Sequence, residues 1–283
     1  MKQITAILLI ISLLIFAGCK AKITAPQSQS TETNFMPPEP GEFGVFENVS
    51  AYHVHKELTN EQLREMVESG EIPPNVTQLH LSNNQISDIS PLSGLYSLKY
   101  LTMNSNAIED LSPLSGLTNL ETLTLNDNRI KDISALSPLT KLIRLELADN
   151  QISDISVFSG LVALIEVYMP NNEVDSIPPL DALTSLFEIN LADNKLEDIS
   201  ALSEVPSLLY LYLQNNFIQD ISALSALEDL LLLEIQDNAI SVLSPLAKLT
   251  NLREANLINN PIDDETVAEL VAALPQCLIL FSN

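Results

Sequence analysis

Leu98–Asn119 reads LKYLTMNSNAIEDLSPLSGLTN, and the chain on both sides repeats that line with substitutions. Nine rows of 22 residues align without insertion or deletion, beginning at Val76, Leu98, Leu120, Leu142, Leu164, Leu186, Leu208, Leu230 and Leu252. The ninth column is Asn in every row, from Asn84 to Asn260. Columns 1, 4, 6, 11, 14, 17 and 20 are aliphatic almost throughout; in the third row they are Leu120, Leu123, Leu125, Ile130, Ile133, Leu136 and Leu139. A unit this short cannot bury its own apolar side chains, so successive units must stack around one continuous core. The rows predict one elongated body.

Columns 3 to 7 alternate, which is the period of a strand. Each row should give one short strand to a parallel sheet whose neighbours lie about 4.8 Å apart, so that nine strands make a face roughly 40 Å long. Columns 13 to 18, Asp88-Ile89-Ser90-Pro91-Leu92-Ser93 in the first row, form the return path, expected as a 3₁₀ turn with Asp as its N-cap. The period and the L-x-x-L-x-L-x-x-N core are those of a leucine-rich-repeat solenoid. The fold class is an α/β horseshoe with a parallel concave sheet and 3₁₀ turns on its convex side.

Both ends of such a stack need covering. Residues 46–75 read as an N-terminal cap, in which Tyr52-His53-Val54-His55 alternates like a strand. A helix follows, with Thr59 and Gln62 as a capping box and Leu58 and Leu63 as a hydrophobic staple. Leu63, Met66 and Val67 give it an apolar face, and Gly70 ends it. The repeats occupy residues 76–273. In the last row Asp264-Glu265 opens a helix carrying Val267, Leu270 and Val271, and residues 274–283 form a capping strand. The unbroken period puts Cys277 in column 4, as a small core hydrophobe with no disulfide partner. An intermolecular bridge is the alternative.

The N-terminus is not fold. Residues 1–18 carry Lys2, an apolar run from Ile4 to Phe16, and small residues before Cys19. That run is short for a membrane span and reads as an export signal. Ala17-Gly18-Cys19 resembles the bacterial lipobox, with Phe16 where Leu is usual. The resemblance implies lipid attachment at Cys19 and an extracytoplasmic, membrane-anchored body. Residues 19–45 are a polar, Pro-rich tether; fully extended in polyproline form it reaches roughly 70 Å, at about 3.1 Å per residue.

The 22-residue rows, with N-x-I-x-D-I followed by P-L or a variant, resemble the internalin repeats of bacterial surface proteins. The likeness covers 198 residues and implies protein recognition on the concave face. Internalins commonly continue into an immunoglobulin-like region and in many cases a wall-sorting tail; neither follows the last row here.

Thirteen basic residues against 37 acidic give a net charge of -24. That field repels nucleic acid and other polyanions and suits a basic or mixed protein surface. The same acidity also keeps a Leu-rich chain soluble. The Asn column reads as structural, its amides satisfying backbone groups that stacking buries. The Asp column (Asp88, Asp110, Asp132, Asp154, Asp198, Asp220, Asp264) reads as capping rather than a calcium ladder, because it lacks a Gly-rich oxygen cage and is broken by Ser176 and Val242. His53, His55 and His80, with Glu57, are conceivable zinc ligands, although such a pattern arises easily by chance. Glu166 and Glu188, on neighbouring strands about 5 Å apart, have the separation of a glycosidase pair. An open, wet sheet should leave both too acidic for that work. Phosphate-loop, G-x-S-x-G and H-E-x-x-H motifs are missing from the sequence. No enzyme activity and no cofactor are expected.

The outward columns 3 and 5 are free to vary. They hold four of the six Tyr: Tyr100, Tyr168, Tyr210 and Tyr212. Leu232 joins them, with Glu146, Glu166, Glu188, Glu234 and Glu254 around. Tyr offers a large, fairly rigid contact with a polar tip, though it also simply suits strands. Column 2 of rows four to eight is apolar: Ile143, Ile165, Phe187, Leu209 and Leu231. Those side chains either extend the outward surface or tuck beneath the strand edge. The expectation is a lipid-anchored monomer that binds a protein or peptide through the Tyr and Glu residues. An envelope scaffold without an exogenous ligand, and a metal-binding protein using the His residues, remain as other readings.

Overall fold

The structure, a computed structural model, describes residues 51–53 and 57–282. The signal segment, Cys19, the tether, the first residues of the cap and His55 lie outside them.

Eleven strands form one parallel sheet in chain order. They are β1 (Ala51–His53), β2 (Gln78–His80), β3 (Tyr100–Thr102), β4 (Thr122–Thr124), β5 (Arg144–Glu146), β6 (Glu166–Tyr168), β7 (Glu188–Asn190), β8 (Tyr210–Tyr212), β9 (Leu232–Glu234), β10 (Glu254–Asn256) and β11 (Leu278–Leu280). From β2 to β10 each strand is columns 3 to 5 of its row, in register with the same columns of the next. Column 4 points inward: Leu79, Leu101, Leu123, Leu145, Val167, Ile189, Leu211, Leu233 and Ala255 are all buried. Columns 3 and 5 are left on the outward face, which is why they carry polar and aromatic residues.

From Asn106 on, each Asn amide ties two rows together, and Asn84 ties the first row to Leu58 of the cap. Asn150 Nδ2 donates to the carbonyls of Leu125, Leu147 and Ala148, and Asn150 Oδ1 accepts from the Ile130 amide. The arrangement recurs down the column, for example at Asn194. Column 8, just before it, takes the left-handed conformation in every row, from Asn83 at φ 60° to Asn259 at φ 57°. It holds only Asn, Asp and one Ser, and Asn and Asp are the residues that tolerate this region best after Gly.

The return path differs from expectation in one detail. Seven rows carry a 3₁₀ turn beginning at the Ser of column 15, as in Ser90–Gly94 and Ser200–Glu204. The N-cap position is the aliphatic residue of column 14, which makes no side-chain cap bond. Asp acts from one residue earlier. Asp88, Asp110, Asp132, Asp154, Asp198 and Asp220 each accept the amide of the Ser two residues on, at 2.8–2.9 Å. Row five has Pro178 in column 15, which offers no N–H to accept. Its column 13 is Ser176, and it has no 3₁₀ turn.

The caps close both ends. Helix α1 (Asn60–Glu68) has the full Thr59/Gln62 capping box. Leu58 and Leu63 are buried, and Gly70, at φ 79°, follows the helix. Asn60 Oδ1 accepts the amides of Ser87 and Asp88, and Arg64 pairs with Asp88 at 3.0 Å, docking the helix on the first row. Helix α2 (Asp264–Ala273) is capped by Asp263, which accepts the Thr266 amide, rather than by Asp264 of the Asp column. Because α2 replaces a short turn, Leu278 pairs with Glu254, 24 positions on instead of 22. Cys277 therefore falls in column 2, not column 4, and is only partly buried. Its thiol is free, and burial, then Glu254, push it up to about 11.

Candidate functional site

On β5 to β10 the outward columns read Arg144/Glu146, Glu166/Tyr168, Glu188/Asn190, Tyr210/Tyr212, Leu232/Glu234 and Glu254/Asn256. Every one of these side chains is half-buried, because its neighbours are large and stand a strand spacing away. At one end is a residue the sequence reading passed over. Arg144 Nε donates to Glu146 Oε1 at 2.6 Å, and its Nη1 donates to Glu166 Oε2. The guanidinium carbon lies 5.0 Å from the centre of the Tyr168 ring. Arg144 thus satisfies two of the candidate carboxylates, and Asn126 Nδ2 donates to Glu146 as well, at 2.9 Å. A single Arg among outward Glu residues was the available signal.

Glu188 is in a different state. Burial holds its carboxyl above the usual range, the Tyr168 hydroxyl hydrogen bond partly offsets this, and Glu166 pushes it further up. The sheet was expected to be open and wet here; at Glu188 it is drier than that, because Tyr side chains crowd the carboxyl. Burial also raises Glu234, partly offset by the Asn256 amide, which donates at 2.9 Å. Tyr168 and Tyr212 are driven far above the normal phenol range, mainly by burial and then by Glu188, so both hydroxyls remain neutral donors. Tyr210 is raised for the same two reasons.

The structure brings together Tyr168, Tyr210, Tyr212, Leu232, Glu188 and Glu234 on consecutive strands. Tyr100 stands apart on β3, where its hydroxyl donates to Glu121 Oε2 at 3.1 Å beside a Lys99–Glu121 ion pair. That contact also shows that column 2 side chains lie alongside the outward face. Phe187 in column 2 meets Tyr210, ring centres 5.2 Å apart and planes at 59°. Ile143 is 39% exposed, while Ile165, Phe187, Leu209 and Leu231 are half-buried. The apolar column thus borders the tyrosines instead of tucking into the core. His53 and His80 stand opposite each other in the β1–β2 register. Among the described residues no group of three or more His, Cys, Asp or Glu is placed to hold a metal.

A family model of leucine-rich repeats in two copies matches residues 74–116, 97–141, 118–160 and 184–226. Row five, with Pro178-Pro179, fills the gap between 160 and 184. Among solved structures, an internalin of Listeria monocytogenes is 30% identical, with 74% of this chain aligned to 76% of that one and a TM-score of 0.53. A leucine-rich-repeat protein of Leptospira interrogans is 26% identical over 75% of this chain, with a TM-score of 0.70. A TDR receptor is 23% identical over 80% of this chain, with a TM-score of 0.66, and shares the fold. The chain spans 56% of the Leptospira protein and 41% of the receptor. No curated protein matches it. The leucine-rich-repeat match, with 30% identity to a Listeria internalin over 74% of this chain and 76% of that one, leads to one conclusion: the chain belongs to the internalin-like family of leucine-rich-repeat proteins.

Proposed function

We propose that this protein is a lipid-anchored, extracytoplasmic binding module that recognises a protein or peptide of basic or mixed charge on the outward face of its sheet. The observation that carries the reading is the half-buried group of Tyr168, Tyr210 and Tyr212 on β6 and β8, bordered by Phe187 and Leu232 and set among carboxylates. Aromatic anchors in a partly dried setting supply binding energy, and surrounding charge supplies orientation and on-rate. The face is open rather than pocketed. Two shallow clefts, one at Asn260–Asp264 with Ser282 and one among Glu109, Arg129, Lys131, Asp132 and Gln151, lie away from it. An open face suits a macromolecule better than a small ligand. The role is binding, not catalysis, and a monomer suffices for it.

The test is affinity capture with the immobilised chain, offered extracellular and envelope proteins at physiological salt, alongside a variant carrying Tyr168→Ala, Tyr210→Ala and Tyr212→Ala. A partner kept by the first and lost by the second, with both equally folded, supports the reading. A partner held equally by both moves the site off this face. Anchoring is tested separately: the Cys19→Ala chain should lose incorporation of labelled fatty acid and leave the membrane fraction.

A further inference from the structure

What the sheet face already holds indicates what more it would accept. Arg144 lies against the Tyr168 ring and bonds Glu146 and Glu166. An aromatic face flanked by carboxylates is where a guanidinium gives up least on leaving water, since it stacks and donates in one plane. Two strands on, the same groups recur. Tyr210 and Tyr212 stand on β8 between Glu188 on β7 and Glu234 on β9, with Glu254 beyond on β10. None of the ion pairs among the described residues involves Glu188, Glu234 or Glu254. Their hydrogen-bond donors are neutral: the Tyr168 hydroxyl for Glu188, and Asn256 and Gln236 for Glu234.

Two further features fit a donor-rich group. Asn190, the short residue between Tyr168 and Tyr212 in column 5, turns its Oδ1 back to the Ala192 amide at 3.0 Å. Its two tyrosine neighbours therefore stand about 10 Å apart, two strand spacings, with a notch between them. Gln214 and Gln236 follow Tyr212 and Glu234 by two residues, on the same face, and their Oε1 atoms are buried without any hydrogen-bond partner. Glu188, Glu234 and these two amide oxygens thus offer acceptors on this part of the face without a cation paired to them.

We infer that this notch is a subsite for one arginine side chain of the polypeptide partner, its guanidinium stacked against Tyr212 and hydrogen-bonded to Glu188. The inference rests on the sheet-face reading above. Arginine fits better than lysine because its five donors lie in a plane that slides between rings, whereas an ammonium is a compact point charge. Glu234 and Glu254 keep the field negative around the bound cation.

The test titrates the full chain with tri-arginine amide, tri-lysine amide and tri-citrulline amide, the last being the uncharged shape-mimic of arginine. Calorimetry gives affinity, and ring signals of the tyrosines report the site. Tri-arginine should bind best, tri-lysine more weakly and tri-citrulline not measurably. Glu188→Gln and Tyr212→Ala should each weaken tri-arginine about tenfold or more. Glu109→Gln, off the face, should bind like the original chain. Equal binding of tri-citrulline, a lysine preference, or indifference to Glu188→Gln would overturn the subsite. The two readings fail separately. A captured partner lost by the triple Tyr variant but held by Glu188→Gln removes the arginine subsite and leaves the face. One indifferent to the triple Tyr variant removes the face itself.

Discussion

Asn150 shows how one side chain can hold two rows. Its amide makes four hydrogen bonds in a place closed to water, three given and one accepted. Removing it orphans the Ile130 amide and takes one of two donors from each of three carbonyls, which keep Asn128, Asn172 and the Asp127 amide. Asn150→Ala should cost about 2–4 kcal/mol by chemical denaturation, since each buried group left unsatisfied is expensive. Asn150→Asp should cost more, because a carboxylate cannot donate to three carbonyls and would bury its charge against them; a milder effect than alanine would show that the ladder is not held by donation. Glu188 behaves the opposite way. Its folded pKa is raised, chiefly by burial, so its contribution to stability is present at low pH and lost as pH rises through that value. Glu188→Gln should therefore melt higher than the original chain at pH 7, with the gap closing below the ordinary glutamate range. The capping carboxylates Asp88, Asp132, Asp198 and Asp263 have lowered pKa values, through their bonds to the following turn. Their contribution is present above the ordinary aspartate range and lost as pH falls through the folded values. Acid should thus weaken the turns while it relieves Glu188, so melting temperatures of the pair compared across pH 3–8 separate the two signs.

At the scale of elements, row five tests the return path by omission. With Pro178 and Pro179 it has no 3₁₀ turn, and the Leu180 amide is instead accepted by Glu204 Oε2 of the next row at 2.7 Å. Glu204→Ala should cost about 1 kcal/mol by leaving that amide unpaired, whereas Glu197→Ala on the exposed surface should stay within about 0.5 kcal/mol. An equal, small effect for both would mean that water replaces Glu204 without cost. Much of this was legible in the chain because inward columns admit only one kind of residue. Val76 to Leu257 could be sorted in or out by column, and the α1 cap by its Thr59/Gln62 spacing. The errors arose where geometry departs from the period. Cys277 was misplaced because α2 adds two residues between strands, which a strict count of 22 cannot detect. The left-handed Asn and Asp of column 8 were visible as composition, but nothing in a single row says that φ must be positive there. Arg144 was visible too, and its meaning was not, since its partners Glu166 and Tyr168 are its neighbours only across the strand register. The drying of Glu188 likewise depends on Tyr side chains from two other strands.

For the whole molecule, charge is the property that fold and function share, and it acts on them in opposite directions. A net charge of -24 is balanced by only five ion pairs among the described residues. Most carboxylates therefore repel one another along the stack, at separations that matter when the screening length is about 30 Å in 0.01 M salt and far less when it is about 8 Å in 0.15 M. Self-repulsion of this kind destabilises a compact state. The melting temperature should rise as sodium chloride goes from 10 to 150 mM, by an amount that depends on ionic strength and not on the sodium ion itself, so potassium chloride should act alike. A cationic partner should respond the other way. Its association rate should fall over the same interval, because steering by the acidic face is what salt removes, while its dissociation rate, governed by the desolvated Tyr and Glu188 contacts, should change little. Thermal melts and surface-binding kinetics in the same buffers measure both. If the melting temperature falls with salt, the five ion pairs outweigh the repulsion and the acidic excess is structurally harmless. If the association rate ignores salt, recognition rests on the aromatic and apolar strip from Phe187 to Leu232, and the carboxylates around it serve the fold's solubility rather than its partner.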